Sequence, residues 1–92
     1  MKIEVIREKA IPILRQAGVQ RASVFGSTIK DAAQPRDIDM LVELSKQATL
    51  LNFINLKNRL ETELGEKVDL VEYAALKPAL KSQVIEEKVD LM

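Results

Sequence analysis

Asp37 and Asp39 stand two residues apart in D-I-D-M-L-V-E, Gly26-Ser27 closes the short run S-V-F-G-S before them, and Asp69 lies further on in K-V-D-L-V-E. Aspartate is among the poorest strand formers, so two of them in one short strand-like stretch need a reason. Side chains alternate along a strand, which places Asp37 and Asp39 on the same face. Two carboxylates that close repel each other unless they share a proton or hold a cation between them. Magnesium suits the arrangement, because it takes oxygen ligands, binds through one or two carboxylates and completes its octahedron with phosphate oxygens. Gly26 lets the backbone approach a ligand, and Ser27 adds a hydroxyl and an N–H where a helix is expected to begin, a favourable place for an anion. The expected chemistry is phosphate held beside a metal ion.

The elements that must position these residues follow from periodicity. Ile3, Ile6, Ala10, Ile13 and Ala17 recur at spacings of three and four and predict a helix over Lys2 to Ala17, kinked or split at Pro12 and stopped at Gly18. Arg21 to Phe25 reads as a short buried strand, and Ser27 to Ala33 as one or two helical turns with Ser27 as N-cap and Asp31 exposed. Pro35 makes Gln34-Pro35-Arg36 a turn or an extended lead-in. Asp37 to Leu44 is the second strand, with Ile38, Met40 and Val42 on one face and Asp37, Asp39, Leu41 and Glu43 on the other.

A long helix follows from Thr49 to Leu64, striped by Leu50, Phe53, Leu56, Leu60 and Leu64, capped by Thr49 and ended by Gly65. Leu51 and Ile54 widen its apolar face, which suits burial against a sheet and a partner. Lys67 to Glu72 is the third strand, and Ala74 to Lys88 is a helix with Pro78 in its first turn and Leu80, Val84 and Ile85 on its buried side. The fold class is therefore α/β: a small mixed sheet of about three strands flanked by helices, in the order helix, strand, short helix, strand, helix, strand, helix. Gly26-Ser27 ends the first strand while Asp37 and Asp39 begin the second, so the two meet only if those strands are antiparallel. A crossover through the long helix returns the third strand parallel to the second and brings Asp69 to the same end.

Composition bounds the function. The 92 residues are read as one domain, 1–92, of ordinary globular make-up, 47% hydrophobic and 30% charged. Formal net charge is zero and the cations are spread along the chain, which argues against a dedicated nucleic-acid binder. There is no Cys and no His, so thiol chemistry and the commonest general base and zinc ligand are excluded. No apolar run is long enough for a bilayer and no signal-peptide core is seen, so a cytoplasmic location is expected.

The ordered set Gly26-Ser27, Asp37-x-Asp39 and a later Asp69 on a strand resembles the minimal nucleotidyltransferases of the DNA polymerase β-like superfamily. The resemblance extends over essentially the whole chain, including V-D-L-V after the long helix and L-K-P-A-L-K near the end. Two departures stand out: the spacer from Thr28 to Arg36 is nine residues long, one short of the usual pattern and free of glycine, and Arg36 stands where Ser or Asp often precedes the first metal-binding Asp.

The resemblance implies nucleotidyl transfer with ATP as substrate and Mg2+ as cofactor. Asp37, Asp39 and Asp69 would be the catalytic and metal-binding residues, and Gly26 and Ser27 would hold the nucleotide's phosphates. Lys30 and Arg36 could add charge stabilisation, although solvated surface positions explain them as well; Glu72 and Tyr73 need no role beyond solvent and packing. The resemblance also implies a small helical HEPN-type toxin as partner, in a hetero-oligomer where this chain, as antitoxin, attaches AMP to a tyrosine of the toxin. Two alternatives stand beside it. One is a non-catalytic antitoxin that neutralises by binding. The other is a nucleotidyltransferase acting on a small molecule or an RNA end.

Overall fold

The structure, a computed structural model, describes residues 2–30 and 37–92. It begins with helix α1, Ile3–Gln16, which turns Ile6, Ala10, Ile13 and Leu14 inward. Leu14 replaces the expected Ala17, which is exposed. The helix runs through Pro12 as one element, against the expected split; the proline ring sits at the solvent face and costs one backbone hydrogen bond. Gly18 ends α1 at φ 73°, its N–H donating to the Arg15 carbonyl, while the Val19 N–H reaches back to Leu14. Both bonds satisfy carbonyls that a helix end leaves open, and they turn the buried Val19 under the sheet.

Strand β1, Arg21–Phe25, leads into the four-residue helix α2, Ser27–Lys30. Strand β2 is Ile38–Glu43, helix α3 is Leu50–Leu64 and strand β3 is Val68–Glu72. The expectations for Asp31 to Arg36, including the end of the second helix and the turn at Pro35, lie outside the described residues. α3 starts with a reciprocal cap: the Asn52 N–H donates to Thr49 Oγ1 at 3.2 Å and the Thr49 N–H donates to Asn52 Oδ1 at 2.8 Å. It ends at Gly65, in the left-handed conformation that glycine adopts without penalty.

Sheet order is β3-β2-β1-β4, with β1 antiparallel to β2 and β3 parallel to β2, the two relations that the site requires. A fourth, very short strand joins the expected sheet of about three. β4 is only Val89–Asp90, paired with Ser23 and Val24, and two residues are too few to show a period. Side-chain and tail contacts fasten it: Ser23 Oγ donates to Asp90 Oδ1 at 2.7 Å, Arg7 Nη2 donates to the Asp90 carbonyl at 2.8 Å, and the Leu91 N–H donates to the Ala22 carbonyl at 2.8 Å.

One face of the sheet carries Ala22, Val24, Ile38, Met40, Val42, Val68 and Leu70, and these meet α1 and α3 in a single core with Leu56, Leu60 and Leu64. The other face carries Ser23, Asp39, Leu41, Glu43 and Asp69, as alternation demands. The C-terminal helix differs from expectation. Tyr73–Ala75 forms a 3-10 turn and α4 spans Pro78–Glu87, because the residue before a proline resists helical geometry and Lys77 is extended. Leu80 and Ile85, expected to be buried, are 51% and 43% exposed. Leu50, expected in the buried stripe of α3, is 74% exposed. No helix among the described residues is long and apolar enough to cross a membrane.

Candidate active site

Three strand ends meet at one edge of the open face. Phe25, the last residue of β1, pairs with Asp39, and Asp39 pairs in turn with Asp69. Neighbouring strands lie about 4.8 Å apart, and aligned residues direct their side chains to the same face, so Asp39 and Asp69 project side by side. Asp37 lies just before β2 rather than within it, at a bend. The next residue resumes regular pairing: the Ile38 N–H donates to the Lys67 carbonyl at 2.9 Å. Asp37 and Asp69 both line an open cleft of about 710 Å³, whose other walls come from α3 and the turn after it: Lys57, Glu61, Gly65, Glu66 and Lys67, with Val68 at the base.

The Gly26-Ser27 corner stands against Asp39. Gly26 has φ 59°, and a Cβ built on it would lie 2.6 Å from Asp39 Oδ2. The carboxylate thus occupies the space that any other residue at position 26 would fill. Ser27 opens α2, as the first helical residue rather than as the expected N-cap before it. A residue that sequence reasoning missed completes the junction: Thr28 is wholly buried, and its Oγ1 accepts a hydrogen bond from the Asp39 N–H at 2.8 Å.

Lys57 and Glu61 were also missed. They lie one turn apart and off the apolar stripe of α3, the usual signature of a solvated face, and only the return of β3 beneath the helix makes them walls of a cleft. Glu61 helps set that return, its Oε2 accepting the Val68 N–H at 2.9 Å, one residue before Asp69.

Among the described residues, no three acidic side chains close around a single point. The backbone nevertheless suits a divalent cation. Asp39 and Asp69 share a face on adjacent strands, Asp37 lines a cleft with Asp69, and glycine clears the space for Asp39. All-oxygen donors of this kind match magnesium rather than a softer metal.

Comparison with known proteins bears on the same residues. The family model described as polymerase beta, nucleotidyltransferase, matches residues 8–92, which take in every residue of this site. The chain belongs to that nucleotidyltransferase family. A Methanocaldococcus jannaschii protein provisionally named as a protein adenylyltransferase is 42% identical over an aligned length of 93 that takes in 100% of both chains. A solved structure described provisionally as a minimal nucleotidyltransferase superposes with a TM-score of 0.82 at 35% identity, covering 97% of this chain and 95% of that one. A second, the tri-AMPylated HEPN toxin of Shewanella oneidensis in complex with its MNT antitoxin, superposes with a TM-score of 0.75 at 25% identity, covering 97% of this chain and 71% of that one. The sheet with its flanking helices is thus the polymerase β-like nucleotidyltransferase fold, in its minimal form.

Proposed function

We propose that this chain is a magnesium-dependent protein adenylyltransferase that moves AMP from ATP to a tyrosine of a HEPN-type partner and acts as its antitoxin. The observation that carries the reading is the alignment Phe25–Asp39–Asp69 across three strands, which sets the Gly26-Ser27 corner and the acidic residues at one edge of one face. The kinship with an antitoxin bound to an AMPylated HEPN toxin supports the acceptor class.

In this reading Asp37 and Asp39 hold the metal ion, with Asp69 completing the site. Bound there, magnesium supplies neutralisation of the charge that develops on the nucleotide's phosphates. Gly26 and Ser27 orient the β- and γ-phosphates through the backbone at the start of α2. The acceptor hydroxyl lies beside Asp69 and gives it the proton. The acceptor oxygen bonds to the α-phosphorus, the bond from that phosphorus to the bridging oxygen breaks, and pyrophosphate leaves. Lys57 and Lys67, which line the cleft with Asp37 and Asp69, supply positive charge beside these groups.

The deciding experiment incubates the chain and its HEPN-type partner with ATP and magnesium and reads the partner's intact mass. The expected result is a gain of one or more AMP groups that Asp39→Asn abolishes. A second reading, neutralisation by binding alone, is favoured by one observation: Leu50, Leu51 and Ile54 form an exposed apolar stretch on α3 at 74%, 70% and 42% exposure. It requires that an Asp37→Asn, Asp39→Asn double variant still neutralise an unmodified partner.

A further inference from the structure

Thr28 is a polar side chain with no solvent access, on a helix of only four residues, and no step of the transfer chemistry calls on it. Its hydroxyl accepts the Asp39 N–H from eleven residues away. Amides alternate in direction along a strand, and the Ile38 N–H is taken by Lys67 on the β3 side, so the Asp39 N–H is directed toward β1 and α2. There β1 has just ended at Phe25 and the chain has turned at Gly26. The Thr28 hydroxyl therefore joins the Gly26-Ser27 corner to the backbone of Asp39, while Gly26 itself lies under the Asp39 carboxylate. Backbone and carboxylate of one residue are both referenced to the same corner.

We infer that Thr28 is a positioning residue that sets the distance between the phosphate-binding corner and the metal-binding carboxylate of Asp39. This rests on the nucleotidyl-transfer reading and adds to it a residue that touches neither nucleotide nor metal. A bond of this kind acts through geometry. Partners that orient a metal ligand commonly change metal affinity by about 10–100-fold when removed.

The test compares wild type, Thr28→Val, which keeps the shape but removes the acceptor, and Thr28→Ser, which keeps the acceptor. Mn2+ binding in the presence of ATP is followed by electron paramagnetic resonance, and thermal unfolding is recorded alongside. Thr28→Val is expected to weaken Mn2+ binding by about tenfold or more, and Thr28→Ser to stay within about twofold of wild type. Equal Mn2+ affinity in wild type and Thr28→Val overturns the inference, as does a loss in Thr28→Ser as large as that in Thr28→Val. Should Thr28→Val not fold, Thr28→Ala takes its place with the same expectation. A wild-type chain that binds no Mn2+ with ATP overturns the nucleotidyl-transfer reading itself, a result distinct from the other two.

Discussion

At Gly26 a single hydrogen atom decides where a carboxylate can sit. Alanine there would place its Cβ 2.6 Å from Asp39 Oδ2, and the softest response is rotation of the Asp39 side chain. The positive φ adds about 1–2 kcal/mol of backbone strain for any residue with a Cβ. Gly26→Ala is therefore expected to fold, with a modest loss in thermal stability, and to lose AMP transfer by about a hundredfold, as misplacement of a reacting group by about 1 Å can do. Intact-mass assays beside a melting curve separate the two effects. Asp39→Asn should lose transfer, because it keeps the shape and removes the charge. Chelation of magnesium with EDTA should do the same to wild type, with activity restored by excess Mg2+.

At the scale of elements, the end of the open face away from the acids and the core beneath α3 are held by different forces. The far end is a network around Tyr73: Arg21 lies over the ring at 4.2 Å and pairs with Glu43 at 2.6 Å, and Ser23 Oγ lies 3.2 Å from the Tyr73 hydroxyl while donating to Asp90. Hydrogen bonds from Lys88, then from Ser23, hold the Asp90 carboxyl below its usual range, and the same contact with Asp90 raises Lys88. A lowered carboxylate stabilises the fold above its unfolded pKa, near 3.9, and that stabilisation is lost as pH falls through the lower folded value. The raised lysine stabilises below about 10.4, and its share is lost as pH rises through the higher folded value. The Asp90 side chain is 66% exposed, so screening keeps the effect small, at most about 1 kcal/mol. Asp90→Asn should therefore lower stability to urea at pH 7, and the difference from wild type should shrink as pH falls through the lowered folded value.

The core end of α3 behaves otherwise. Leu60 has no exposed surface, and Leu60→Ala should cost about 2–5 kcal/mol by transfer and cavity terms together. Thr49→Ala, which removes one arm of the reciprocal cap, should cost about 1 kcal/mol. Both are read from chemical denaturation midpoints.

Over the whole molecule, the sheet divides the labour. One face is spent on the core, and the other is left with acids at one edge and a hydrogen-bonded network at the other. In the function proposed above, the acceptor is a HEPN-type partner. The exposed Leu50 and Leu51 at the start of α3 and the half-covered Leu80 and Ile85 on α4 are surfaces on which such a partner could be seated. A Leu50→Asp, Leu51→Asp variant should keep wild-type stability, because neither side chain is packed. If the partner docks on α3, the variant should bind it at least tenfold more weakly in titration calorimetry.

The chain's own order of residues determined the architecture of the site. Two aspartates at strand spacing, a glycine at a strand end and a helix of crossover length leave few ways to bring the parts together, and the antiparallel and parallel pairings follow from them. Local patterns also announced the caps at Thr49 and Gly65, because capping depends on residues within one turn. Tertiary structure alone decided what depends on neighbours distant in sequence. Two-residue β4 exists because Ser23, Ala22 and Arg7 hold it, and Thr28 matters because β2 returns beside it. Leu50, Leu80 and Ile85 match the apolar period as well as any core residue, yet they stay exposed because no element among the described residues covers them. Periodicity reports which face of a helix is apolar, and only packing decides how much of that face is buried.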